Sequence, residues 1–189
     1  MIVAGTDEAG RGPLAGPVVA AAAVLTPDQR RRLMQRGLGD SKALTPRRRE
    51  SLFALMEELG VLWRAQAASA ARIDGTNILA ASLWAMGRAT VALDPPPDLV
   101  VVDGNARIPG LSLPQRCLPG GDALVPAVMA ASVVAKVLRD RAMESLDRLY
   151  PGYGFAKHKG YPTAEHRRAL ERLGPSPVHR ATFRWRPAP

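Results

Sequence analysis

Apolar residues recur along the chain in two patterns, one typical of strands and one typical of helices. Short runs that are β-branched or alternate between apolar and polar predict strands at residues 2–6, 18–25, 61–68, 99–103 and 111–118. Apolar residues three and four positions apart predict helices at residues 26–37, 45–60, 77–93, 123–150 and 163–173. Strands and helices interspersed in this order predict an α/β layered fold.

The composition indicates a globular protein with an excess of positive charge. The 189 residues, 47% hydrophobic and 23% charged, are typical of one folded domain with at most a small appendage. The net charge is +9, which favours a polyanionic partner, with nucleic acid the first candidate. Residues 151–189 contain eight basic residues and two acidic ones. This basic segment is either a contact surface for nucleic acid or a solvated basic face.

Several classes of protein are excluded by what the sequence lacks. Cys117 is the only cysteine, so neither an internal disulfide framework nor a Cys-rich zinc site can form. The N-terminus shows no basic segment ahead of an apolar core, and the apolar run at residues 18–25 is too short to cross a bilayer. We therefore expect a soluble, cytoplasmic protein without a membrane attachment.

A glycine-rich loop at residues 10–16 follows the first predicted strand. Its third glycine comes one position late for G-x-G-x-x-G, Pro13 removes a backbone N–H, and a strand rather than a helix follows. The sequence also lacks G-x-x-x-x-G-K-[ST], so we predict no nucleotide cofactor. The loop is either a plain hairpin turn or a place where a ligand approaches the bare backbone beside Arg11.

Four acids stand near predicted strand ends or the start of the long helix. Asp7 and Glu8 follow the first strand, Asp103 ends another strand, and Asp122 opens the helix. Sites collect at strand ends in open α/β sheets, and a set of oxygen ligands suits Mg²⁺ or Mn²⁺. In a basic protein such a cluster is typical of two-metal phosphodiester hydrolysis. The alternatives are a helix N-cap for Asp122, an Asx-turn for Asp103 and a solvated turn for Asp7 and Glu8.

The long predicted helix is apolar on almost every side, which predicts burial. Ser132, Lys136 and Asp140 nevertheless form a polar stripe at four-residue spacing. A lysine in a buried helix needs a partner or a wet cleft, because an unpaired ammonium would lose its charge. Lys136 therefore either faces the acids or a phosphate, or pairs with Asp140 on its own helix.

Six short motifs follow one another along the chain. They are Asp7-Glu8-Ala9-Gly10-Arg11-Gly12, Asp40-Ser41-Lys42, Val102-Asp103-Gly104-Asn105, Gly121-Asp122 leading into Ala130-Ala131-Ser132-Val133-Val134-Ala135-Lys136, His158-Lys159-Gly160-Tyr161-Pro162-Thr163 and Pro177-Val178-His179-Arg180. Together they closely resemble the bacterial ribonuclease HII family over residues 1 to about 184. Arg11 separates the chain from the sister family, ribonuclease HIII, which typically carries lysine in that loop and an extra N-terminal domain.

The resemblance implies a fold, a division of the chain and an activity. The fold is ribonuclease-H-like, with a mixed five-stranded sheet flanked by helices over residues 1–145. A small, basic, helical C-terminal lobe over residues 146–189 forms one side of the substrate groove. The activity is that of a monomeric Mg²⁺- or Mn²⁺-dependent endoribonuclease that cuts the RNA strand of RNA/DNA hybrids. It also implies incision 5′ of single ribonucleotides in duplex DNA, with 3′-hydroxyl and 5′-phosphate products, in ribonucleotide removal from DNA.

The resemblance also assigns residue roles. Asp7, Glu8, Asp103 and Asp122 correspond to the catalytic acids that bind the metal. Two departures, Gly121 before the fourth acid and Ala43 after Lys42 where the family often has lysine, affect phosphate contacts and no acid.

The remaining predicted residues bind substrate. Gly10, Arg11 and Gly12 would contact the 2′-hydroxyl, the group that distinguishes RNA from DNA. Tyr161 would stack on the sugar of the following deoxynucleotide. Lys42 and Ser132 resemble phosphate contacts, and Lys136 completes the substrate-binding set. The alternatives are a ribonuclease H that is insensitive to RNA–DNA junctions and a non-catalytic module that binds hybrids.

Overall fold

Residues 1–39 and 43–184 are described by a computed structural model of the chain. The strands are β1 Val3–Ala9, β2 Val18–Val24, β3 Leu62–Ala68, β4 Leu99–Asp103 and β5 Gln115–Leu118. The helices are α1 Pro27–Gln35, α2 Pro46–Glu58, α3 Ala70–Gly75, α4 Ile78–Val91, α5 Gly121–Leu124, α6 Pro126–Leu149, α7 Phe155–His158 and α8 Ala164–Leu173.

The five strands form one mixed sheet in the order β3-β2-β1-β4-β5. β1 pairs antiparallel with β2 and parallel with β4, while β2 pairs antiparallel with β3 and β4 parallel with β5. The predicted α/β fold with a mixed five-stranded sheet is confirmed. Because β1 and β4 are parallel neighbours, their carboxyl ends lie at the same edge of the sheet.

Helices cover both faces of the sheet, and small side chains let them approach closely. Ala21 and Ala23 of β2 belong to a core cluster with α1, α2 and α6. Val18 and Ala20 of the same strand belong to a second cluster with α4. Strand residues alternate between the two faces, so a run of apolar residues without polar alternation is typical of a strand buried on both sides.

Gly5 of β1 sets the closest approach between the sheet and α6. A Cβ built on Gly5 would lie 2.2 Å from the backbone N of Val128 and 2.3 Å from the carbonyl carbon of Ala127. Only a residue without a side chain fits between this strand and the first turn of α6. The contact fixes the helix that carries Ser132 and Lys136 directly over the strand that carries Asp7.

The structure changes several predicted element bounds. β1 continues beyond residue 6 through Ala9 because it stays paired with β2 as far as Val19, so Asp7 and Glu8 lie inside the strand. The predicted helix 123–150 is two helices, α5 and α6, since the missing N–H of Pro126 favours a new helix start there. The short helices α3 and α7 were not predicted, and β5 begins only at Gln115.

The C-terminal part of the described chain packs against the far end of α6. Phe155, Leu170 and Met143 belong to a core cluster separate from those on the sheet. The segment around His179 returns to the glycine-rich loop, where Ala15 and His179 form an isolated antiparallel bridge. A boundary at residue 145 falls inside α6, which contacts β1, β2 and α7. The division into a catalytic domain and a C-terminal lobe remains a prediction.

Among the described residues, none of the helices combines the length and the apolar character needed to span a membrane.

Candidate active site

A cleft of about 310 Å³ lies where β1 and β4 end. It is bounded by β1, the glycine-rich loop, α6 and the segment that follows α7. Its lining residues are Asp7, Glu8, Ala9, Gly10, Arg11, Gly12, Asp103, Ser132, Lys136, Arg139 and Tyr161. The structure thus brings together nearly all residues predicted for the site. Lys42 falls outside the described residues. Asp122 is buried beside the cleft and is not one of its lining residues.

Three of the four predicted acids form a tight group. Carboxylate oxygens of Asp7, Asp103 and Asp122 all lie within 4.8 Å of one another. Asp7 lies in β1, Asp103 is the last residue of β4, and Asp122 is the second residue of α5. Glu8 lines the same cleft, where its carboxylate faces the guanidinium of Arg11 at 3.4 Å.

The structure contradicts a solvated turn for Asp7 and an N-cap for Asp122. Asp7 is 4% exposed within a paired strand, which is incompatible with a solvated turn. Asp122 caps neither helix near it, because Gly120 is the N-cap of α5 and Val125 that of α6. The Oδ1 of Asp103 accepts a hydrogen bond from the backbone N–H of Gly121 at 2.8 Å. This bond joins the end of β4 to the residue directly before Asp122.

The electrostatics of the cluster depend mainly on burial. Burial, together with the charges of Glu8 and Asp103, raises the pKa of Asp7 to about 8, while a hydrogen bond with Ser132 opposes the shift. Burial also raises the pKa of Glu8, against the effect of the Arg11 charge. Carboxylates this close do not all stay ionised unless positive charge enters among them.

The donor set fits a divalent cation. The group consists only of carboxylate oxygens, the ligands that Mg²⁺ and Mn²⁺ prefer, and it contains no His or Cys that would favour zinc. The spacing of the three oxygens allows one ion to contact all of them. A cation bound among these oxygens would offset the burial and the like charges that raise the pKa of Asp7.

Lys136 satisfies both of the roles considered for it. Its Nζ donates to Asp140 Oδ1 at 2.5 Å, and the same side chain lines the cleft. Burial lowers the pKa of Lys136, and the pairing with Asp140 opposes this shift. Asp140 also pairs with the buried Arg49 of α2 at 3.5 Å. Ser132, one turn before Lys136, is 4% exposed and faces Asp7.

The glycine-rich loop and Tyr161 form opposing walls of the cleft. The loop is a hairpin connection between β1 and β2, and its residues Gly10, Arg11 and Gly12 also line the cleft. The approach of a ligand to its backbone remains a prediction. A Cβ built on Gly12 would lie 3.6 Å from Cε1 of Tyr161. Tyr161 is 43% exposed, which leaves its ring available to a ligand.

Sequence reasoning missed Arg139, which also lines the cleft. Its side chain is 1% exposed and its guanidinium lies 6.0 Å from the centre of the Tyr161 ring. Arg139 stands three residues after Lys136, and residues three apart share a helix face. Extending the polar stripe by that spacing would have found it.

The comparisons with known proteins agree with this geometry. The family model for ribonuclease HII matches residues 4–186. The chain belongs to the ribonuclease HII family. It is 52% identical over 182 residues to ribonuclease HII of Moorella thermoacetica, a match that covers 96% of this chain and 86% of that protein. The family predicted from the six motifs is confirmed.

Solved structures of relatives share the fold. Ribonuclease H2 from Pyrococcus horikoshii OT3 matches with a TM-score of 0.81 and 30% identity, over 97% of this chain and 94% of that one. Ribonuclease HII in the PCNA complex from Archaeoglobus fulgidus matches with a TM-score of 0.81 and 25% identity, over 100% and 98%. The predicted ribonuclease-H-like fold is therefore confirmed.

Family membership also gives the coarse function. Ribonuclease HII enzymes are metal-dependent endonucleases of the ribonuclease H class, which act on RNA/DNA hybrids. The carboxylate cluster is consistent with a divalent metal requirement.

Proposed function

We propose that this member of the ribonuclease HII family incises duplex DNA on the 5′ side of single embedded ribonucleotides, besides cutting the RNA strand of hybrids. The products would carry 3′-hydroxyl and 5′-phosphate ends. One observation carries the proposal: two of the three clustered carboxylates, Asp7 and Asp103, line one cleft with residues 10–12 and the exposed ring of Tyr161. A site that reads one ribonucleotide needs a cleavage centre, a contact for the 2′-hydroxyl and a contact for the next sugar.

Asp7, Asp103 and Asp122, with Glu8 at the cleft wall, would hold Mg²⁺ or Mn²⁺. A bound pair of such ions supplies an activated water and stabilises the leaving oxygen in phosphodiester hydrolysis. The Ser132 hydroxyl orients the Asp7 carboxylate through their hydrogen bond. Arg11 holds Glu8 from the open side of the cleft, with 3.4 Å between Nη1 and Oε1.

Lys136 of α6 would contact the phosphate backbone, and the buried Arg139 would act on it only through its charge. Lys136 is tethered by Asp140, which keeps its ammonium at the cleft, and Arg139 adds a second positive charge there. Phosphate contacts position a nucleic acid without reading its sequence, which suits an enzyme that finds a ribonucleotide in any sequence. Lys42 and Ser132 stay in the proposal as further phosphate contacts.

Recognition of the ribonucleotide would come from the loop and from Tyr161. The 2′-hydroxyl is both donor and acceptor, so backbone groups of Gly10, Arg11 and Gly12 can bind it without a side chain. Tyr161 would stack on the sugar of the following deoxynucleotide. If a 2′-hydroxyl on that sugar would collide with the Tyr161 ring, only a deoxyribose fits there. The site would then favour a ribonucleotide that is followed by a deoxyribonucleotide.

The basic C-terminal segment would hold the flanking duplex. Arg168 and Arg172 of α8 are exposed, and the Nζ of Lys157 is paired with Glu165 at 2.6 Å. Neutralising phosphates with such residues releases counterions and strengthens binding at low salt. In this proposal the enzyme acts as a monomer in the cytoplasm, in the removal of ribonucleotides from DNA.

The test is a cleavage assay on end-labelled duplex DNA that contains one ribonucleotide, with Mg²⁺, with Mn²⁺ and with chelator. We expect metal-dependent incision 5′ of the ribonucleotide, none with chelator, and none with Asp7→Asn. Glu58→Gln removes an exposed acid from α2, a helix that contributes no residue to the cleft, and serves as the control that keeps activity. Cleavage of a uniform hybrid but not of the single-ribonucleotide duplex would overturn the proposal and leave a junction-insensitive ribonuclease H.

A further inference from the structure

Arg180 is a buried arginine whose donors all go to backbone carbonyls of the glycine-rich loop. Its side chain comes from the C-terminal segment and is 2% exposed. Nη2 donates to Gly10 O at 2.6 Å and to Gly16 O at 2.9 Å. Nη1 donates to Arg11 O at 2.9 Å, and Nε to Gly16 O at 3.1 Å. One guanidinium therefore binds both ends of the loop.

The charge of this guanidinium has no ion-pair partner among the described residues. Asp74, whose carboxylate accepts hydrogen bonds from the N–H groups of Ala181 and Thr182, acts on it only at longer range. Burying an unpaired charge is costly, and a neutral side chain could fill the same space. A neutral side chain would lack the forked N–H donors of the guanidinium, which reach three carbonyls at once.

Binding these carbonyls also orients two N–H groups of the loop. In a trans peptide the C=O and the following N–H point in opposite directions. With Gly10 O and Arg11 O turned to the guanidinium, the N–H groups of Arg11 and Gly12 point away from it. Within residues 1–39 and 43–184 neither of these N–H groups donates to a protein acceptor, and the loop lines the cleft.

We infer that Arg180 is a positioning residue that aims the N–H groups of Arg11 and Gly12 into the cleft, toward the 2′-hydroxyl of the ribonucleotide. The inference rests on the proposed function and adds the residue that makes its specificity possible. Arg180 itself touches no substrate.

Backbone hydrogen bonds around Arg180 also join the C-terminal segment to the glycine-rich loop. Its N–H donates to Leu14 O at 2.8 Å, and the N–H of Gly16 donates to Val178 O at 2.9 Å. The N–H of Leu14 in turn donates to Gly160 O at 2.8 Å, next to Tyr161. The loop is therefore held in register with both the C-terminal segment and the opposite wall of the cleft.

The experiment measures how strongly the protein prefers a ribonucleotide. In an Asp103→Asn background, which prevents cleavage, affinities are measured by fluorescence anisotropy for a duplex with one ribonucleotide and for the all-DNA duplex. Arg180→Lys keeps the charge, but one ammonium cannot reach the three carbonyls. We expect it to lower the preference ratio by about tenfold, as the loss of one to two hydrogen bonds predicts. Affinity for the all-DNA duplex should change little.

Leu93→Ala is the matched control for a purely structural effect. Leu93 is 3% exposed in a core cluster with Ala4, Ala22 and Ala89, and this cluster contains no residue of the glycine-rich loop. It should lower the melting temperature and leave the ratio unchanged. Equal losses for both duplexes with Arg180→Lys would overturn the inference while the proposed function stands. A parent protein with no preference for the ribonucleotide would overturn the proposed function and the inference together.

A second measurement needs no variant at Arg180. The amide resonances of Arg11 and Gly12 are followed by NMR in the Asp103→Asn protein. We expect both to shift when the single-ribonucleotide duplex is added and to shift much less with the all-DNA duplex. Identical responses to the two duplexes would overturn the inference even if Arg180→Lys failed to fold.

Discussion

Asp103 Oδ1 accepts a hydrogen bond from the backbone N–H of Gly121, with 2.8 Å between the two atoms. The bond connects the end of a core strand to Gly121, the first residue of α5, which lies 18 residues further along the chain and directly before Asp122. One oxygen of Asp103 is therefore used to place another acid of the cluster. A Cβ built on Gly121 would lie 3.4 Å from the same oxygen, so the turn packs closely on the carboxylate.

This double role predicts the effect of Asp103→Asn. Asparagine keeps a carbonyl oxygen that can accept the Gly121 bond, but it removes the negative charge that a cation needs. We expect cleavage to fall by about 10³-fold or more, as for loss of a metal-stabilised transition state, while duplex binding is retained. Single-turnover cleavage and anisotropy measure the two effects.

Asp103→Ala is the informative comparison. It removes the Gly121 bond as well, and it should cost about 1 kcal/mol more of unfolding free energy than Asp103→Asn. Normal cleavage by Asp103→Asn would remove this residue from the mechanism.

The sequence predicted which residues share the cleft better than it predicted the bounds of the elements that hold them. The order of strands and helices and the positions of Asp7 and Asp103 near strand ends followed from local pattern. Whether β1 stops at residue 6 or continues to Ala9 depends on pairing with β2, which is not local. Two consecutive acids are unfavourable in a strand, and only the cleft explains why they lie there.

The role of Arg180 is a second feature that local sequence pattern could not predict. Its motif was recognisable, but its role depends on carbonyls more than 160 residues away in the chain. Gly5 is similar, since its need for a bare backbone arises from Val128 of α6. Contacts between distant segments leave no periodicity, so local pattern could not find them.

The pKa of Asp7, raised to about 8 chiefly by burial, predicts how stability depends on pH without metal. A raised carboxyl pKa means that the folded state binds more protons than the unfolded state between about pH 4 and pH 8. The contribution of Asp7 to the free energy of unfolding is then fully present below the pKa of the unfolded state. It is lost as the pH rises through the pKa of the folded state, by up to about 1.4 kcal/mol per pH unit. Urea unfolding with chelator, from pH 5 to pH 8, measures the slope.

Two comparisons identify Asp7 as the source. Asp7→Asn should flatten the slope, because its side chain does not titrate. Adding Mn²⁺ at pH 8 should restore stability to the native protein and much less to the variant, since the cation binds the ionised form. A slope that persists in Asp7→Asn would assign the titration to another group.

Gly5→Ala tests the contact that places α6 over β1. The added Cβ would meet backbone atoms at 2.2 Å and 2.3 Å, so the helix has to move. We expect a loss of about 3 kcal/mol in unfolding free energy, together with reduced cleavage because Ser132 and Lys136 move with α6. Gly75→Ala is the control, since a Cβ there meets nothing within 4 Å, and it should be neutral or stabilising by less than about 1 kcal/mol. Equal stability of the two variants in urea would contradict the close packing.

Tyr161 offers the sharpest test of junction recognition, because its ring can be removed without opening the core. The side chain is 43% exposed, so Tyr161→Ala should cost little stability. If the ring packs on the sugar after the ribonucleotide, its loss should cost about 1 to 2 kcal/mol of transition-state binding at a junction, as expected from the apolar area that would be uncovered. That corresponds to at least about fivefold in kcat/KM on the single-ribonucleotide duplex. Tyr161→Phe keeps the ring and should retain most of this activity. On a uniform hybrid, other registers let the enzyme cut with a weaker contact, so Tyr161→Ala should lose less there. Losses of the same size on both substrates would instead show that the ring serves general binding and not the junction.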